Sequence, residues 1–429
     1  MRAALPAGLS AGLSGLTTRG RSLLAAGAAL AASSVLLGQR DLLRAAVFLL
    51  TLPLAAVVIV ARTRYRLACT RLLDPPRVEA GRTSTVRLRL DNVSRLPSGV
   101  LLMEDVLPYA LGGRPRFVLD RVEPRGVREV SYPVRSDVRG RFRVGPLSVR
   151  LTDPFGLCEL TRSFATTDEL VVTPVATALP SVRLGGDWIS GGDATGKAIA
   201  VSGSDDAATR EYRHGDDLRK VHWRSTARVG ELMVRREEQP FQNRATLLLD
   251  TRVCAHRGDG PASSFEWSVS AVASVGVALA RSGFGLRLLT DTGLDLVPAA
   301  LPVTEGALLD TLAGVRGSRG HDLDPVTQRL RRGGADGVVV AVLGRLDPED
   351  AERLGRLRHG AASCVAVLLE TDTWAPSGPR GKEQARAAYD AAATLLERTG
   401  WRVLRVAHGT TLPSVWPQAG MRGRVGAPP

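Results

Sequence analysis

Two apolar runs near the N-terminus restrict the folds open to this chain more than any other feature. Residues 22–38 carry no charge and are rich in alanine and leucine, and residues 45–61 form a second apolar run. Each run is about 17 residues long, which is the lower limit for a helix that crosses a bilayer. Because only a short polar turn at 38–41 separates them, the two helices must be antiparallel neighbours. The sequence therefore predicts a transmembrane helical hairpin.

The arginines that flank the hairpin indicate its orientation. Arg19 and Arg21 precede the first run, and a second group follows the other run: Arg62, Arg64, Arg66 and Arg71. Since arginine is enriched on the cytoplasmic side, we expect a multi-pass plasma-membrane protein whose soluble domains are cytoplasmic. Two alternatives stay open. The first run is a cleaved signal peptide, or both runs form a buried soluble hairpin, although neither shows a polar face.

Length, charge and cysteine usage narrow the class of protein. At 429 residues the chain is long enough for two or three domains. Its net charge of +14 comes from scattered arginines, without the clustered basic stripe or aromatic platform that nucleic-acid binding needs. We therefore predict a solvated basic surface and no nucleic-acid partner. The cysteines are far apart and lie in or beside apolar runs, which predicts isolated, buried, reduced thiols at Cys69, Cys158, Cys254 and Cys364.

A first soluble domain is predicted where the apolar period changes to two, over residues 67–180. Val86, Leu88 and Leu90 alternate with arginines, and further short strands are predicted at 100–107, 127–134, 141–144 and 147–151. Many short strands separated by proline and glycine turns predict a β-sandwich. Glu104 and Asp105 have no partner at a telling spacing, so we predict that they are solvated strand charges.

A linker rich in glycine, serine and aspartate, residues 181–209, contains a near match to a phosphate loop. The stretch 191–197 ends in Lys197, but Ala198 stands where a magnesium-binding Ser or Thr is needed. A phosphate loop also needs a helix directly after it, and the residues after Ala198 do not have a helical pattern. The sequence therefore predicts no nucleotide cofactor here.

The densest stretch of charged and aromatic residues covers 210–228. Asp216 and Asp217 suit a helix start because their side chains can accept from free backbone N–H groups. Leu218, Val221 and Ala227 are predicted to face inward. Tyr212, His222 and Trp223 form a candidate binding site, or else they pack this segment onto the next domain. No Ser or Cys is evidently placed as a nucleophile beside His222, so no catalytic residue is predicted.

The same stretch resembles the defining motif of the domain of unknown function 58 family, roughly R-x-Y-x-x-G-D-x-x-R-x-I-x-W-x-x-S-A-R. The residues that match it are Arg210, Tyr212, Gly215, Asp216, Arg219, Trp223, Ala227 and Arg228. Val221 stands for the family's isoleucine, and Thr226 holds the small polar position. The paired apolar runs and the segment Asp153-Pro154-Phe155-Gly156-Leu157 also resemble this family. The eight residues that match the motif, together with His222, are the predicted interaction site.

Residues 241–416 alternate between apolar strands and helices, which predicts a parallel-cored, doubly wound α/β sheet. The family resemblance implies a von Willebrand factor A-like fold here. Such domains often bind magnesium through Asp-x-Ser-x-Ser after the first strand, but this chain has Asp250-Thr251-Arg252-Val253-Cys254. Both serines are missing and Arg252 brings a positive charge, so we predict a degenerate site without metal. Asp250 is expected to pair with Arg252 or to cap the strand end.

The predicted organisation is a tail and two transmembrane helices (1–66), a β-sandwich (67–180), a linker (181–209), the motif segment (210–240), the α/β domain (241–416) and a flexible tail (417–429). Without a recognisable nucleophile, metal cluster or cofactor loop, we predict a non-enzymatic scaffold protein that has no cofactor. The family resemblance implies that it is the membrane-bound partner of a MoxR-type AAA+ ATPase in a chaperone-like system. Two other classes stay open. One is an enzyme that uses Asp216, Asp217 and His222 as acid and base; the other is a basic lipid- or nucleic-acid-binding module.

Overall fold

The computed structural model describes residues 15–62, 67–95, 97–98, 100–152, 155–182, 184, 209–211, 221, 223–235, 244–297, 304–333, 337–359, 363–375 and 379–420. The chain forms two compact units, Met1–Val175 with Leu312–Val315, and Ala176–Thr311 with Arg316–Pro429. The first unit holds two apolar helices and a sheet-rich domain. The second holds a six-stranded sheet with its helices.

Two long helices begin the first unit, as the apolar runs predicted: α1 (Thr18–Leu37) and α2 (Arg40–Arg62). Gly38 ends α1 with a φ of 66°, a left-handed conformation that glycine adopts without strain, so the chain turns back at once. The helices pack closely, since a Cβ on Gly27 would lie 2.8 Å from Cγ of Leu50. Both are long and apolar enough to cross a membrane, and Leu36 and Phe48 are exposed on them.

Short strands make up the rest of the first unit. They are β1 (Leu67–Asp74), β2 (Arg77–Glu79), β3 (Thr83–Asn92), β4 (Leu101–Asp105), β5 (Arg116–Leu119), β6 (Val127–Arg135), β7 (Gly140–Val144), β8 (Leu147–Thr152), β9 (Glu159–Phe164) and β10 (Asp168–Thr173). Their sheets have the orders β1-β3-β6, β2-β10-β7 and β5-β4-β8-β9. Val86, Leu88 and Leu90 on β3 are buried in a core to which all three sheets contribute, which confirms the inward face that their alternation predicted.

The prediction that Glu104 and Asp105 are solvated is wrong. Asp105 is buried because it continues the inward-facing register of Leu101 and Met103 on β4. Its carboxylate accepts from Arg71 Nη2 at 2.8 Å and from the Tyr132 hydroxyl at 2.5 Å. Burial and the hydrogen bond to Asp105 raise the pKa of Tyr132. A buried ion pair therefore lies in the core of this domain, and Glu104, on the other face of β4, pairs with Arg116 at 3.3 Å.

The second unit contains a small antiparallel pair and a large sheet. The pair is β11 (Thr209–Glu211) with β12 (Met233–Arg235), and α3 (Trp223–Val229) lies between them in sequence. The larger part consists of β13 (Arg244–Leu249), α4 (Ser264–Arg281), β14 (Gly285–Thr290), β15 (Asp295–Val297), α5 (Glu305–Gly314), α6 (Asp324–Gly333), β16 (Val338–Leu343), α7 (Pro348–Gly355), β17 (Ser363–Leu369), α8 (Pro379–Arg398), β18 (Arg402–Val406) and α9 (Leu412–Val415).

The large sheet has the order β15-β14-β13-β16-β17-β18. All neighbouring strands are parallel except β14 and β15, which are antiparallel. Helices cover both faces of the sheet. Adjacent residues of β13 point to opposite faces, so their contacts show which helices lie on each side. Leu247 lies 3.1 Å from where a Cβ on Gly276 of α4 would be, whereas Leu248 is buried in a cluster with residues of α6, α7 and α8. The parallel core predicted from the alternating pattern is present.

Candidate functional site

The carboxyl edge of the large sheet, between β13 and β16, is the candidate site. The chain continues from β13 to β14 on one side of the sheet and from β16 to β17 on the other. Open α/β sheets bind their ligands in the crevice where such connections diverge. Asp250, the first residue after β13, lies at this point and donates its backbone N–H to Val342 O at 3.0 Å.

Arg252 fills the crevice with its side chain, which is only 2% exposed. Nε and Nη2 donate to the two carboxylate oxygens of Asp250, both at 2.9 Å. Nη1 donates to Asp350 Oδ2 at 2.6 Å and to the carbonyl of His321 at 3.1 Å. A second bond from Nη2 reaches the carbonyl of Arg345 at 3.3 Å. The guanidinium thus has an acceptor for each of its five N–H hydrogens.

The charges around Arg252 are balanced within the network. Asp350 Oδ1 accepts from the backbone N–H of Leu323 at 3.2 Å and from Arg353 at 3.3 Å. Two buried carboxylates therefore face two guanidinium groups. Burial works to lower the pKa of Arg252, but the hydrogen bonds and charges of Asp250 and Asp350 outweigh it, so the pKa is raised. The guanidinium is a permanent cation at this position. We call Arg252, Asp250 and Asp350 the arginine centre.

The residues present do not fit a magnesium ion. Magnesium takes oxygen ligands in a nearly octahedral arrangement, and both carboxylate oxygens of Asp250 bind Arg252 instead. A fixed guanidinium in contact with that carboxylate would repel a divalent cation. Within the described part of the chain, no group of three or more His, Cys, Asp or Glu side chains is placed to hold a metal.

A second network ties the ends of β13 and β14 together. Asp291 follows β14 and accepts from the backbone N–H of Thr251 at 3.1 Å and from the Thr251 hydroxyl. Its other oxygen accepts from the Ser318 hydroxyl at 2.6 Å. Ser318 is also bonded through its backbone, donating to Thr251 O at 2.7 Å and accepting from Val253 N at 3.0 Å. These bonds fix the loop after β13, and with it the position of Arg252.

His256 and Ser264 form a buried pair below this loop. His256 Nε2 lies 2.8 Å from the carbonyl of Asp250, so this nitrogen carries the proton and donates it. Nδ1 then accepts from the Ser264 hydroxyl at 3.1 Å. Burial holds the pKa of His256 below its ordinary value. The two side chains are buried, so they stabilise the loop and present no accessible serine nucleophile.

Val253, Cys254 and Arg319 are exposed residues of the two loops that the Ser318 backbone bonds join beside the arginine centre, and we call them the lip. Val253 is 63% exposed, and Cys254 and Arg319 are also exposed. The prediction that every cysteine is buried is wrong for Cys254, because the 3₁₀ turn Val253–Ala255 directs its side chain outward. Cys69 is half-buried, whereas Cys158 and Cys364 are buried as predicted.

The predicted motif residues are only partly within the described ranges. Tyr212, Gly215, Asp216, Arg219 and His222 lie outside them, as do Asp217 and the segment 191–197. Arg210 lies on β11, opposite Val234 of β12.

The helix α3 carries the other motif residues, Trp223, Ala227 and Arg228, and all three are exposed. The inward-facing prediction for Ala227 is wrong. Its neighbour Thr226 is the residue turned toward β12, where its hydroxyl accepts from the backbone N–H of Met233 at 3.0 Å. The described motif residues are therefore not brought to the arginine centre by any contact within the structure's described ranges.

Sequence reasoning found Asp250 and Arg252 but missed other members of these networks, among them Asp291, Asp350 and His256. Asp291 could have been found, because it is an acid directly after the strand Gly285–Thr290, as Asp250 is after β13. Asp350 and His256 carry no such signal. Asp350 lies 98 residues from Arg252 in sequence, in the first turn of α7, where an acid is expected for helix stability alone.

Comparison with known proteins gives a family of unknown function. Residues 208–373 match the sequence model of DUF58, described as a protein of unknown function. The uncharacterized protein YeaD of Bacillus subtilis (strain 168) is 26% identical over 227 residues, which is 51% of this chain. The chain spans about half the length of that curated relative, 54% of it. Both findings are similarities of part of this chain, one to the DUF58 family and the other to an uncharacterized protein, and neither names an activity.

Two solved structures that are similar to this chain each match about a quarter of it. The CARDB domain of the PF1109 protein from Pyrococcus furiosus is 9% identical and covers 25% of this chain and 90% of its own, with a TM-score of 0.19. A PapD-like domain of human CEP192 is 14% identical and covers 25% of this chain and 85% of its own, with a TM-score of 0.17. These scores are too low to support an assignment of fold or function.

Proposed function

We propose that this chain is a membrane-anchored, non-enzymatic scaffold protein that docks a protein partner on the lip. The observation that carries the proposal is the arginine centre. At the position where an open α/β sheet ordinarily holds its ligand, the chain places its own guanidinium, and all five N–H groups are bonded. A satisfied buried network of this kind fixes the shape of a loop, and the exposed residues beside it are what a partner meets.

The strand order supports a von Willebrand factor A-like fold for the α/β domain. Counted along the chain from β13, the sheet order is third, second, first, fourth, fifth and sixth, with an antiparallel third strand. This is the order of a doubly wound sheet, and the family resemblance narrows it to the von Willebrand factor A-like group. The three sheets around one core in the first unit likewise support a β-sandwich.

The proposed anchor is the hairpin of α1 and α2, inserted as a two-span segment of the plasma membrane. Its support is the length and apolar composition of both helices, together with the arginines at the start of α1 and after α2. Arg19 and Arg21 at the start of α1 are exposed, and further arginines follow α2. By the positive-inside rule the sheet-rich domain and the second unit are cytoplasmic.

The proposed partner is a MoxR-type AAA+ ATPase, and its support is the resemblance to the DUF58 family. The lip includes an exposed apolar side chain, Val253, and an exposed basic one, Arg319. Such a surface suits a partner patch that combines apolar contact with acidic residues, since complementary charge steers association. Cofactor chemistry has no role in this proposal.

A crosslinked pull-down from native membranes tests the proposal with matched variants. Val253→Asp puts a charge on the lip, and Val118→Asp makes the same change on β5 at a position 66% exposed, against 63% for Val253. We expect the ATPase to be recovered with the wild type and with Val118→Asp, but not with Val253→Asp. If Val253→Asp retains the ATPase while Trp223→Ala loses it, docking belongs to α3 and the lip is excluded. If no ATPase is recovered with the wild type, the scaffold proposal fails.

A further inference from the structure

The loop between β8 and β9 is hydrogen-bonded to the start of α1, at the end of the helical hairpin opposite its turn. Thr17, the residue before α1, donates its backbone N–H to Leu157 O at 3.0 Å and its hydroxyl to Gly156 O at 2.7 Å. Glu159 N donates to Gly15 O at 2.7 Å. These bonds hold residues 155–158, which we call the hairpin loop, directly against the start of α1.

Apolar packing places the hairpin loop beside the helices as well as at their end. Leu157 and Cys158 are buried in one cluster with Leu16, Ala56 and Val57. There is no room for a side chain at Gly20 of α1, since a Cβ there would lie 2.3 Å from Leu157 O. The loop backbone therefore touches the helix backbone, and the contact is built into the sequence.

The depth of this contact follows from helix geometry. Val57 lies roughly 8 Å along the axis from the Arg62 end of α2, at 1.5 Å per residue. Leu24, which packs against the same cluster, lies roughly 9 Å from the Thr18 end of α1. Both residues fall within the spans that are long and apolar enough to cross a membrane. If the hairpin crosses a bilayer, the cluster lies at the level where headgroups meet acyl chains.

Phe155 is the exposed member of the hairpin loop, with 61% of its surface accessible. Arg19 is exposed on the adjoining turn of α1, and its guanidinium is 4.0 Å from where a Cβ on Gly156 would be. Phe beside a basic residue is a composition found in elements that lie on a membrane surface, where the apolar side chain enters the headgroup–acyl boundary and the guanidinium stays with the phosphates.

We infer that the hairpin loop is a membrane-contacting element, in which Phe155 inserts into the lipid bilayer at the headgroup–acyl boundary. The inference rests on the proposed membrane anchor. Because β8 and β9 flank the loop, its insertion sets one end of the sheet β5-β4-β8-β9 on the membrane surface.

Photocrosslinking of the full chain in vesicles of phosphatidylcholine and phosphatidylglycerol tests the inference. Benzoylphenylalanine replaces Phe155, Phe48 or Tyr109, one at a time, and lipid adducts are detected by mass spectrometry after irradiation. Phe48 is exposed on α2 and reports insertion of the hairpin itself. Tyr109 is 99% exposed in the same unit, but it follows Asp105, which pairs with Leu147 at the far end of β8 from the loop.

We expect lipid adducts when the photoreactive residue replaces Phe155 or Phe48, and none when it replaces Tyr109. Adducts at Phe48 without adducts at Phe155 would overturn the inference and leave the membrane anchor in place. Equal adducts at Phe155 and Tyr109 would also overturn it, because contact would not be specific to the loop. If Phe48 gives none, the anchor fails and the inference fails with it.

Discussion

The guanidinium of Arg252 binds both carboxylate oxygens of Asp250, with Nε–Oδ1 and Nη2–Oδ2 distances of 2.9 Å. The two residues are separated by one position at the end of β13, so a strand end and the first residues of its loop close on themselves. Asp350, 98 residues further along the chain, binds the remaining face of the guanidinium at 2.6 Å. The positive charge of the Arg252 guanidinium, bonded to both carboxylates, therefore holds the loop in place at the carboxyl edge of the sheet.

Replacing the buried guanidinium should be costly. Arg252→Ala leaves the carboxylates of Asp250 and Asp350 buried without their partner, which we expect to lower the free energy of unfolding by about 3–5 kcal/mol. Arg356→Ala is the control, because its pair with Glu352 is exposed on both sides and should contribute at most about 1 kcal/mol. Urea unfolding in detergent measures both variants. Equal, small losses would show that the arginine centre does not stabilise the fold.

Magnesium should not stabilise the protein. Because Arg252 already binds the Asp250 oxygens, adding magnesium or removing divalent cations with EDTA is expected to leave the Tm unchanged. A thermal shift assay in both conditions checks this, with Asp250→Asn as the comparison variant. A magnesium-dependent rise in Tm that Asp250→Asn abolishes would contradict the arrangement of this site.

The stability of the α/β unit should fall at mildly acidic pH. Burial holds the pKa of His256 below its ordinary value of 6.5, so the unfolded chain takes up a proton that the folded chain does not. This contribution to stability is complete above pH 6.5 and is lost as the pH falls from there toward the lowered folded-state pKa. Urea midpoints about one pH unit above and below 6.5 should differ more for the wild type than for His256→Gln. Equal differences would remove His256 as the cause.

The cysteines should react with alkylating reagents in a fixed order. Cys254 is exposed on the lip and should be labelled first, whereas Cys158 and Cys364 are buried and protected. Burial raises the pKa of Cys69 to about 11, so near pH 8 only on the order of one thiol in a thousand is the reactive thiolate. Mass spectrometry of timed iodoacetamide labelling gives the order, with Cys254→Ser to identify the fast site. Rapid labelling of Cys69 would contradict its burial.

The sequence predicted the elements whose signal is local and periodic. The apolar runs gave the two helices of the hairpin, and the alternation of Val86, Leu88 and Leu90 gave the buried face of β3. Continuous apolar runs such as Ser363–Leu369 gave the parallel strands of the large sheet. The sequence did not predict helix α6, because Val326 and Leu330 are the only large aliphatic residues among its ten and give a weak periodic signal, although both are buried.

The networks could not be predicted, because their partners are distant in sequence. Asp105 looks like any other strand acid until β1 brings Arg71 beside it, 34 residues away. The same holds for Asp350 and Arg252. An acid in the first turn of a helix stabilises the helix dipole in any case, so its sequence position does not reveal a buried ion pair. The local motif around Trp223, in contrast, was conspicuous in sequence, and the described part of it lies exposed on α3.

Docking of a partner on the lip can be tested by a site-specific crosslink from Cys254 in native membranes. A maleimide–diazirine reagent attached to the exposed Cys254 carries a photoreactive group that reaches whatever docks on the lip, and Cys254→Ser is the control. We expect a covalent adduct between Cys254 and a MoxR-type ATPase. The adduct should form equally with and without EDTA, and it should not form with Cys254→Ser. Complete labelling of Cys254 without any ATPase adduct would contradict docking on the lip.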